Sequence, residues 1–211
     1  MPPPLSWQGS LLGVGQLAFD GRDRAFARAR RDELARGAWV ERCTSWLSGG
    51  DDLCARLIAE LPWTSNTVTM YDQIVREPRL TEFRVHEHLD RFPELKRLVP
   101  VLSERYRRDL SRISAALYRD GDDSVAWHGD RIDRIVVEPV VAILSLGAPR
   151  ILRLRPKGGG RSIAFSLHCG DLLVMGGTCQ RTWEHCVPKS RRACGPRVSL
   201  MFREPSPTTE R

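Results

Sequence analysis

Apolar positions between residues 111 and 203 recur in short runs separated by polar turns. The runs are "RISAALY" at 112–118, "VVAILSLG" at 140–147, "RILRLRP" at 150–156, "SIAFSL" at 162–167, "DLLVMGG" at 171–177, "TWEHCVP" at 182–188 and "RVSLMFR" at 197–203. Turn-forming stretches fall between them, including "RDGDDS" at 119–124 and "GGG" at 158–160. Short strands spaced in this way predict a sandwich or jelly roll. In the last run Val198, Leu200 and Phe202 share one strand face and read as core. Arg197, Ser199, Met201 and Arg203 share the other face.

The first half of the chain has a different texture. Residues 1–19 mix prolines and glycines with scattered apolar residues and read as an irregular arm. "DGRDRAFARARRDELARG" at 20–37 reads as a helix, capped by Asp20 or Asp23 and stopped at Gly37. "GAWVERCTSWL" at 37–47 reads as a strand, and "DDLCARLIAELPW" at 51–63 as a short helix capped by Asp51 that buries Leu53, Leu57 and Ile58. Residues 64–90 are polar and mixed and predict loops and short strands. "FPELKRLVPVLSERYRRDL" at 92–110 is helical in pattern, with Pro100 starting or kinking a helix and Leu102, Tyr106 and Leu110 spaced by four. Helices followed by strands predict an α+β layout, with the N-terminal helices packed on one face. The expected division is an N-terminal arm, helices and recognition region over 1–90, a strand-rich core over 91–205, and a tail over 206–211, the first two forming one integrated domain.

Composition narrows the class. The chain has 211 residues with 41% hydrophobic content, enough for a sizeable core. It has no apolar run of membrane-spanning length and no basic-then-apolar leader pattern, so the expectation is a cytoplasmic monomer without membrane contact. Six cysteines include no C-x-x-C pair, and a zinc site from His168, Cys169, Cys186 and Cys194 matches no zinc-module spacing. The net charge is +7, and only Lys96, Lys157 and Lys189 among the basic residues are lysines. An arginine-dominated surplus suits either a solvated surface or a polyanion such as nucleic acid.

The candidate chemistry starts at "AWHGDRI", residues 126–132. In an extended chain His128 and Asp130 fall on one side, with Gly129 on the other. An imidazole and a carboxylate so placed can bite one metal ion. His185, in a distant predicted strand, is the best third donor. Two histidines and a carboxylate form the facial triad of non-haem iron(II) oxygenases, which leaves positions open for cosubstrate and oxygen. Taken singly, His128 suits a hydrogen-bonded turn and His185 a half-buried strand. The order H-x-D, a long strand-rich spacer, then His is the more specific signal. Arg197 and Arg203 on one inward face would be costly unpaired, and a dicarboxylate would pair both. Six extended residues span about 20 Å, so their side chains would have to lean together.

"LYRDGDDSVAWHGD", "VAILSLGAPRILRLRP", "GDLLVMGGTCQRTWEHCVPK" and "GPRVSLMFR" resemble the AlkB family of iron(II)- and 2-oxoglutarate-dependent dioxygenases, in wording a bacterial branch. The resemblance covers roughly residues 60–203. It implies a double-stranded β-helix with an N-terminal nucleotide-recognition region. It also implies oxidative demethylation of N-alkylated bases, of the 1-methyladenine and 3-methylcytosine type, with release of formaldehyde, succinate and carbon dioxide. Carried over by position, His128, Asp130 and His185 would hold Fe(II). Arg197 would take the distal carboxylate of 2-oxoglutarate with help from Tyr118, Ser199 would stand beside it, and Arg203 would lie near the iron-end carboxylate. Trp63, Tyr71 and Phe83 are aromatic candidates for the substrate side, with Ile132 and Asp133 following the metal aspartate.

Three positions depart from the family pattern. Ala116 stands where an asparagine is common, Ser199 where another asparagine often stands, and Ile132 where an acid often contacts the base. The first two bear on cosubstrate affinity and the third on base preference. The implied partner is DNA, single-stranded or with a flipped base, since a stacked base cannot reach a buried metal. RNA, protein or a small molecule as substrate, or a nucleic-acid-binding module without turnover, are the competing readings.

Overall fold

A computed structural model describes residues 26–70, 73–130, 132–192 and 194–205. In chain order its elements are β1 (Ala29–Glu33), β2 (Ala38–Cys43), α1 (Gly50–Glu60), β3 (Thr67–Met70), β4 (Gln73–Arg76), β5 (Leu80–Glu82), α2 (Pro93–Tyr106), β6 (Arg112–Tyr118), β7 (Val125–His128), β8 (Val141–Gly147), β9 (Arg150–Pro156), β10 (Ile163–Leu167), β11 (Leu172–Gly177), the single turn α3 (Cys179–Thr182), β12 (Trp183–Val187) and β13 (Arg197–Arg203).

Two sheets make the frame. The larger runs β1-β2-β11-β8-β13-β6-β5 and the smaller β10-β9-β12-β7, with β3-β4 a separate hairpin. Strand parity explains how they stack. One side of the large sheet (Ala38, Val40, Val141, Ile143, Leu173, Met175) packs with Leu152, Leu154, Phe165, Leu167 and Trp183 of the small sheet. That contact closes the interior of a jelly roll. The opposite side (Ala142, Leu144, Leu146, Val198, Leu200, Phe202) packs beneath Leu53 and Leu57 of α1 and Leu95, Leu98 and Leu102 of α2. The fold is therefore α+β, a double-stranded β-helix with helices on one outer face. Val198, Leu200 and Phe202 are fully buried, each side chain being worth roughly 1.5–3 kcal/mol of transfer free energy.

The helix expected over 20–37 is corrected. Residues 20–25 lie outside the described part, but 29–33 are a strand paired to β2. The sequence has helix-forming arginines and alanines, yet only Phe26, Ala29 and Leu34 offer apolar surface to a core. A helix there would bury almost nothing. As an edge strand the segment completes the ladder to β2, and Arg31 gains Glu41 at 3.3 Å and the face of Trp39 at 3.8 Å. Exposed charges also suit a strand that borders solvent.

Smaller differences have local causes. α1 is capped at Gly49, whose φ of 71° glycine tolerates, and Asp51 and Asp52 fall in its first turn, where carboxylates favour the dipole. α2 begins at Pro93, and Pro100 sits inside it on the exposed side. Leu110 lies beyond the helix but is fully buried, its backbone N–H donating to Ser103 Oγ at 3.1 Å. The arm over 1–19 and the tail over 206–211 lie outside the described residues. No described helix is long and apolar enough to cross a membrane.

Candidate metal centre

β7 and β12 are antiparallel neighbours, and His128 stands directly opposite His185 in their register. The two imidazoles meet with ring centroids 4.3 Å apart. β7 ends at His128, and the chain runs on through Gly129 to Asp130. A side chain at Gly129 would come within 3.2 Å of the Gln180 carbonyl, so glycine lets the strand end approach α3. Gln180 in turn accepts the Asp130 backbone N–H at 3.0 Å, which fixes where the carboxylate points. The donor atoms of His128, Asp130 and His185 all lie within 4.8 Å of one another. Trp127, by parity, turns away and lies under the Arg155 guanidinium at 4.0 Å.

The protonation states suit a cation. The His128 Nδ1–H donates to the Ala126 carbonyl at 2.8 Å, which leaves the Nε2 lone pair for a metal. Burial pushes His185 down to about 4, against the opposing pull of Asp130 and helped by nearby positive charge, so at neutral pH it is an unprotonated donor. For Asp130, burial acts to raise the pKa, but Arg203, His185 and His128 together hold it below the usual carboxylate value. Arg203 Nη2 donates to Asp130 Oδ1 at 2.7 Å, and Oδ2 is buried with no hydrogen-bond partner among the described residues. A buried carboxylate oxygen without a partner, facing two imidazoles, is the donor set an octahedral N/O metal fits.

A second cradle lies across the sheet. Arg197 is fully buried in the register row of Tyr118 and Gly147. Its Nε donates to Ser145 Oγ at 2.9 Å, while Nη1 and Nη2 have no hydrogen-bond partner among the described residues. The guanidinium carbon is 5.3 Å from the centre of the Tyr118 ring. Burial lowers the Arg197 pKa, Tyr118 opposes that, and Arg150 adds to it. A buried fork with two open donors is complementary to a carboxylate. Ser199 is buried in the next inward row, level with Ser145 and Ala116.

The substrate-side candidates are scattered. Trp63 is half-buried: its indole N–H donates to the Leu57 and Ile58 carbonyls at the end of α1, and the ring packs on the helical core. Phe83 is 51% exposed, just past β5. Tyr71 lies outside the described residues. Ile132 packs partly against the barrel interior. Asp133 Oδ1 accepts the Ile135 N–H at 3.1 Å within its own turn. Arg181 clamps this turn through the carbonyls of Ile132, Asp133 and Val136.

Sequence reasoning missed Arg150, which is buried and gathers the carbonyls of Asp120, Asp123 and Pro188 beneath Tyr118. In an arginine-rich chain nothing marked it out. Gln180 stood within the quoted segment "GDLLVMGGTCQRTWEHCVPK" but was given no role.

Residues 81–203 match the 2OG-Fe(II) oxygenase superfamily. The chain belongs to that superfamily. Its described donor set and carboxylate cradle fit the Fe(II) and 2-oxoglutarate that the superfamily's name carries. Within it, the chain is 30% identical over 181 residues to cattle (Bos taurus) alpha-ketoglutarate-dependent dioxygenase alkB homolog 3, covering 74% of this chain and 62% of that protein. It is 28% identical over 184 residues to the Arabidopsis thaliana DNA oxidative demethylase ALKBH2, covering 68% and 58%. The oxygenase thus spans about three fifths of the length of these relatives. A crystal structure of a 2OG-Fe(II) oxygenase-family oxidoreductase from Burkholderia pseudomallei overlays on 71% of this chain and 75% of its own, with a TM-score of 0.49 and 16% identity.

Proposed function

We propose that this oxygenase demethylates N-alkylated bases in DNA, of the 1-methyladenine and 3-methylcytosine type, using Fe(II), O2 and 2-oxoglutarate. The observation that carries the reading is the presence of two sites: a three-donor cluster with an open carboxylate oxygen, held by Arg203 at one end of β13, and a buried arginine fork with two open donors, Arg197, at the other end. The activity that the Arabidopsis relative is named for, DNA oxidative demethylation, supports the substrate class.

His128, Asp130 and His185 would hold the iron, and Arg197 beside Tyr118 and Ser199 would hold the distal carboxylate of 2-oxoglutarate. Bound together, metal and cosubstrate supply the oxidising power that puts one oxygen atom of O2 on the N-methyl carbon and the other into succinate, with loss of carbon dioxide. The chain's own residues do the rest. Arg203 keeps Asp130 ionised and aimed, since a protonated carboxyl would be a poor ligand. The His128 N–H to Ala126 fixes the tautomer. Burial of Arg197 keeps water from competing for its fork. The hydroxymethylated base then releases formaldehyde. The +7 net charge favours the phosphate backbone that carries the base.

Succinate release, measured with methylated DNA, methylated RNA, unmodified DNA and no substrate, tests this reading. Stimulation by methylated DNA supports it. Stimulation by RNA alone moves the substrate, and none by any nucleic acid overturns it.

A further inference from the structure

The residues that precede the two donor histidines meet the same guanidinium. We propose that Arg155 is a positioning residue for the metal centre, a brace on the outer face of the small sheet that holds β7 and β12 in the register that brings His128 and His185 together. The proposal rests on the metal assignment above and adds to it a residue that touches no metal.

Strand parity puts the brace outside. In the β9–β12 ladder Leu154 pairs with His185 and Arg155 with Glu184. Leu154 packs in the barrel interior, so Arg155 and Glu184 point to the outer face. Trp127 alternates with His128 and points the same way. Arg155 Nε donates to Glu184 Oε1 at 2.6 Å, and its guanidinium carbon stands 4.0 Å from the centre of the Trp127 ring. β12 lies between β9 and β7, so the side chain crosses a whole strand to reach Trp127. Neighbouring strands are about 4.8 Å apart, and two such steps need a long side chain. Glu184 precedes His185, and Trp127 precedes His128. One side chain therefore grips both histidine strands, one residue from each donor.

β7 needs that grip. It has four residues, it borders only β12 among the described strands, and its pairing shifts register between His185 and Val187. A slip of one residue sends a strand's side chains to the opposite face, which would carry His128 out of the donor set. The Asp130 N–H to Gln180 tethers the chain beyond the strand, past Gly129. Arg155 tethers the strand itself. Its ion pair is 29% exposed at the arginine and 17% at the glutamate. A partly exposed pair with one cation–π contact adds little to global stability, so its larger effect falls on where His128 stands.

Calorimetric Mn(II) titration of the metal-free protein, alongside a thermal melt, tests this without turnover. In Arg155→Met the Mn(II) dissociation constant should rise about tenfold, the lower end of what loss of a partner behind a metal ligand costs, with a melting temperature close to wild type. Trp127→Leu should match it, and the double variant should lose no more than either change alone, since both cut one brace. Arg155→Lys keeps the charge for Glu184 without the planar stack and should recover only part of the affinity. Unchanged Mn(II) affinity in Arg155→Met, or additive losses in the double variant, would overturn the brace and leave the metal centre in place. If Arg155→Met does not fold, unchanged affinity in Arg155→Lys and Trp127→Leu overturns it equally. Affinity lost only in variants that also melt far below wild type would make Arg155 a structural residue and end its positioning role. Failure of the wild type to bind Mn(II) would overturn the metal assignment as well.

Discussion

Arg203 and Asp130 share one hydrogen bond, 2.7 Å from Nη2 to Oδ1, and it leaves the other carboxylate oxygen facing His185 Nε2 at 4.0 Å without a partner. The carboxylate is thus divided between a fixed cation of the protein and an open position. That division keeps Asp130 ionised in a buried place, and it aims the free lone pairs at the space between the two imidazoles. A carboxylate with both oxygens satisfied would hold the fold together equally well but would hold a metal poorly.

Arg203→Met should therefore act on metal binding and stability together. Removing one partner of a nearly buried pair costs about 3 kcal/mol, because the remaining charge stays buried. Its loss should also weaken Mn(II) affinity most at mildly acidic pH, as the Asp130 pKa rises. Calorimetric Mn(II) titrations at two pH values, alongside a urea melt, check both effects.

Arg197 carries the opposite expectation for stability. Its two open Nη donors lie buried, and unsatisfied buried donors cost about 1–3 kcal/mol. Arg197→Met should raise the melting temperature of the ligand-free protein. The same change should weaken 2-oxoglutarate binding by about 2–5 kcal/mol, with Arg197→Lys restoring only part, since the planar fork is lost. Thermal melts with and without 2-oxoglutarate read the two effects on one sample, and a stabilised variant that still binds would refute the cradle.

The pH dependence follows from His185. Its pKa sits near 4 in the fold against an ordinary 6.5, so between these values the unfolded chain takes up the proton and the folded one does not. The metal-free protein should lose stability as pH falls from about 6.5 to 4, by up to about 3 kcal/mol. Asp130, held below its ordinary 3.8, works at lower pH: its stabilisation is present above that value and lost as pH falls through its folded pKa. Urea melts across this range on wild type and His185→Gln check it, and the variant should show the flatter slope.

Gly176 tests the packing of the N-terminal strands. A Cβ there would overlap the indole of Trp39, which lies in register across β2 and β11. Gly176→Ala should cost about 1–3 kcal/mol by overpacking. A melt of this variant that matches wild type would show that Trp39 is free to move.

Much of this is legible in the sequence. Alternation in "RVSLMFR" separated the inner arginines from the core trio, because period two is the whole geometry of a strand. H-x-D and a distant histidine met because β7 and β12 are neighbours in register, a fact that pattern alone only suggested. What stayed hidden depended on tertiary placement. β1 reads as a helix because its residues favour one, and only the open edge of β2 makes it a strand. Trp63 puts its indole N–H on the end of α1, a partner that no local pattern marks. Arg150 was one arginine among many until burial distinguished it.

The central claim is that one pocket joins a metal, 2-oxoglutarate and an alkylated base. The most direct measurement follows a single-stranded oligonucleotide carrying one 3-methylcytosine, incubated with the protein, Fe(II), O2 and 2-oxoglutarate, and quantifies unmodified cytosine, formaldehyde and succinate together. The account predicts that the three form in equal amounts, that omission of 2-oxoglutarate abolishes them, and that Asp130→Ala abolishes them while the variant still folds. Full conversion by Asp130→Ala, or conversion without 2-oxoglutarate, would contradict it.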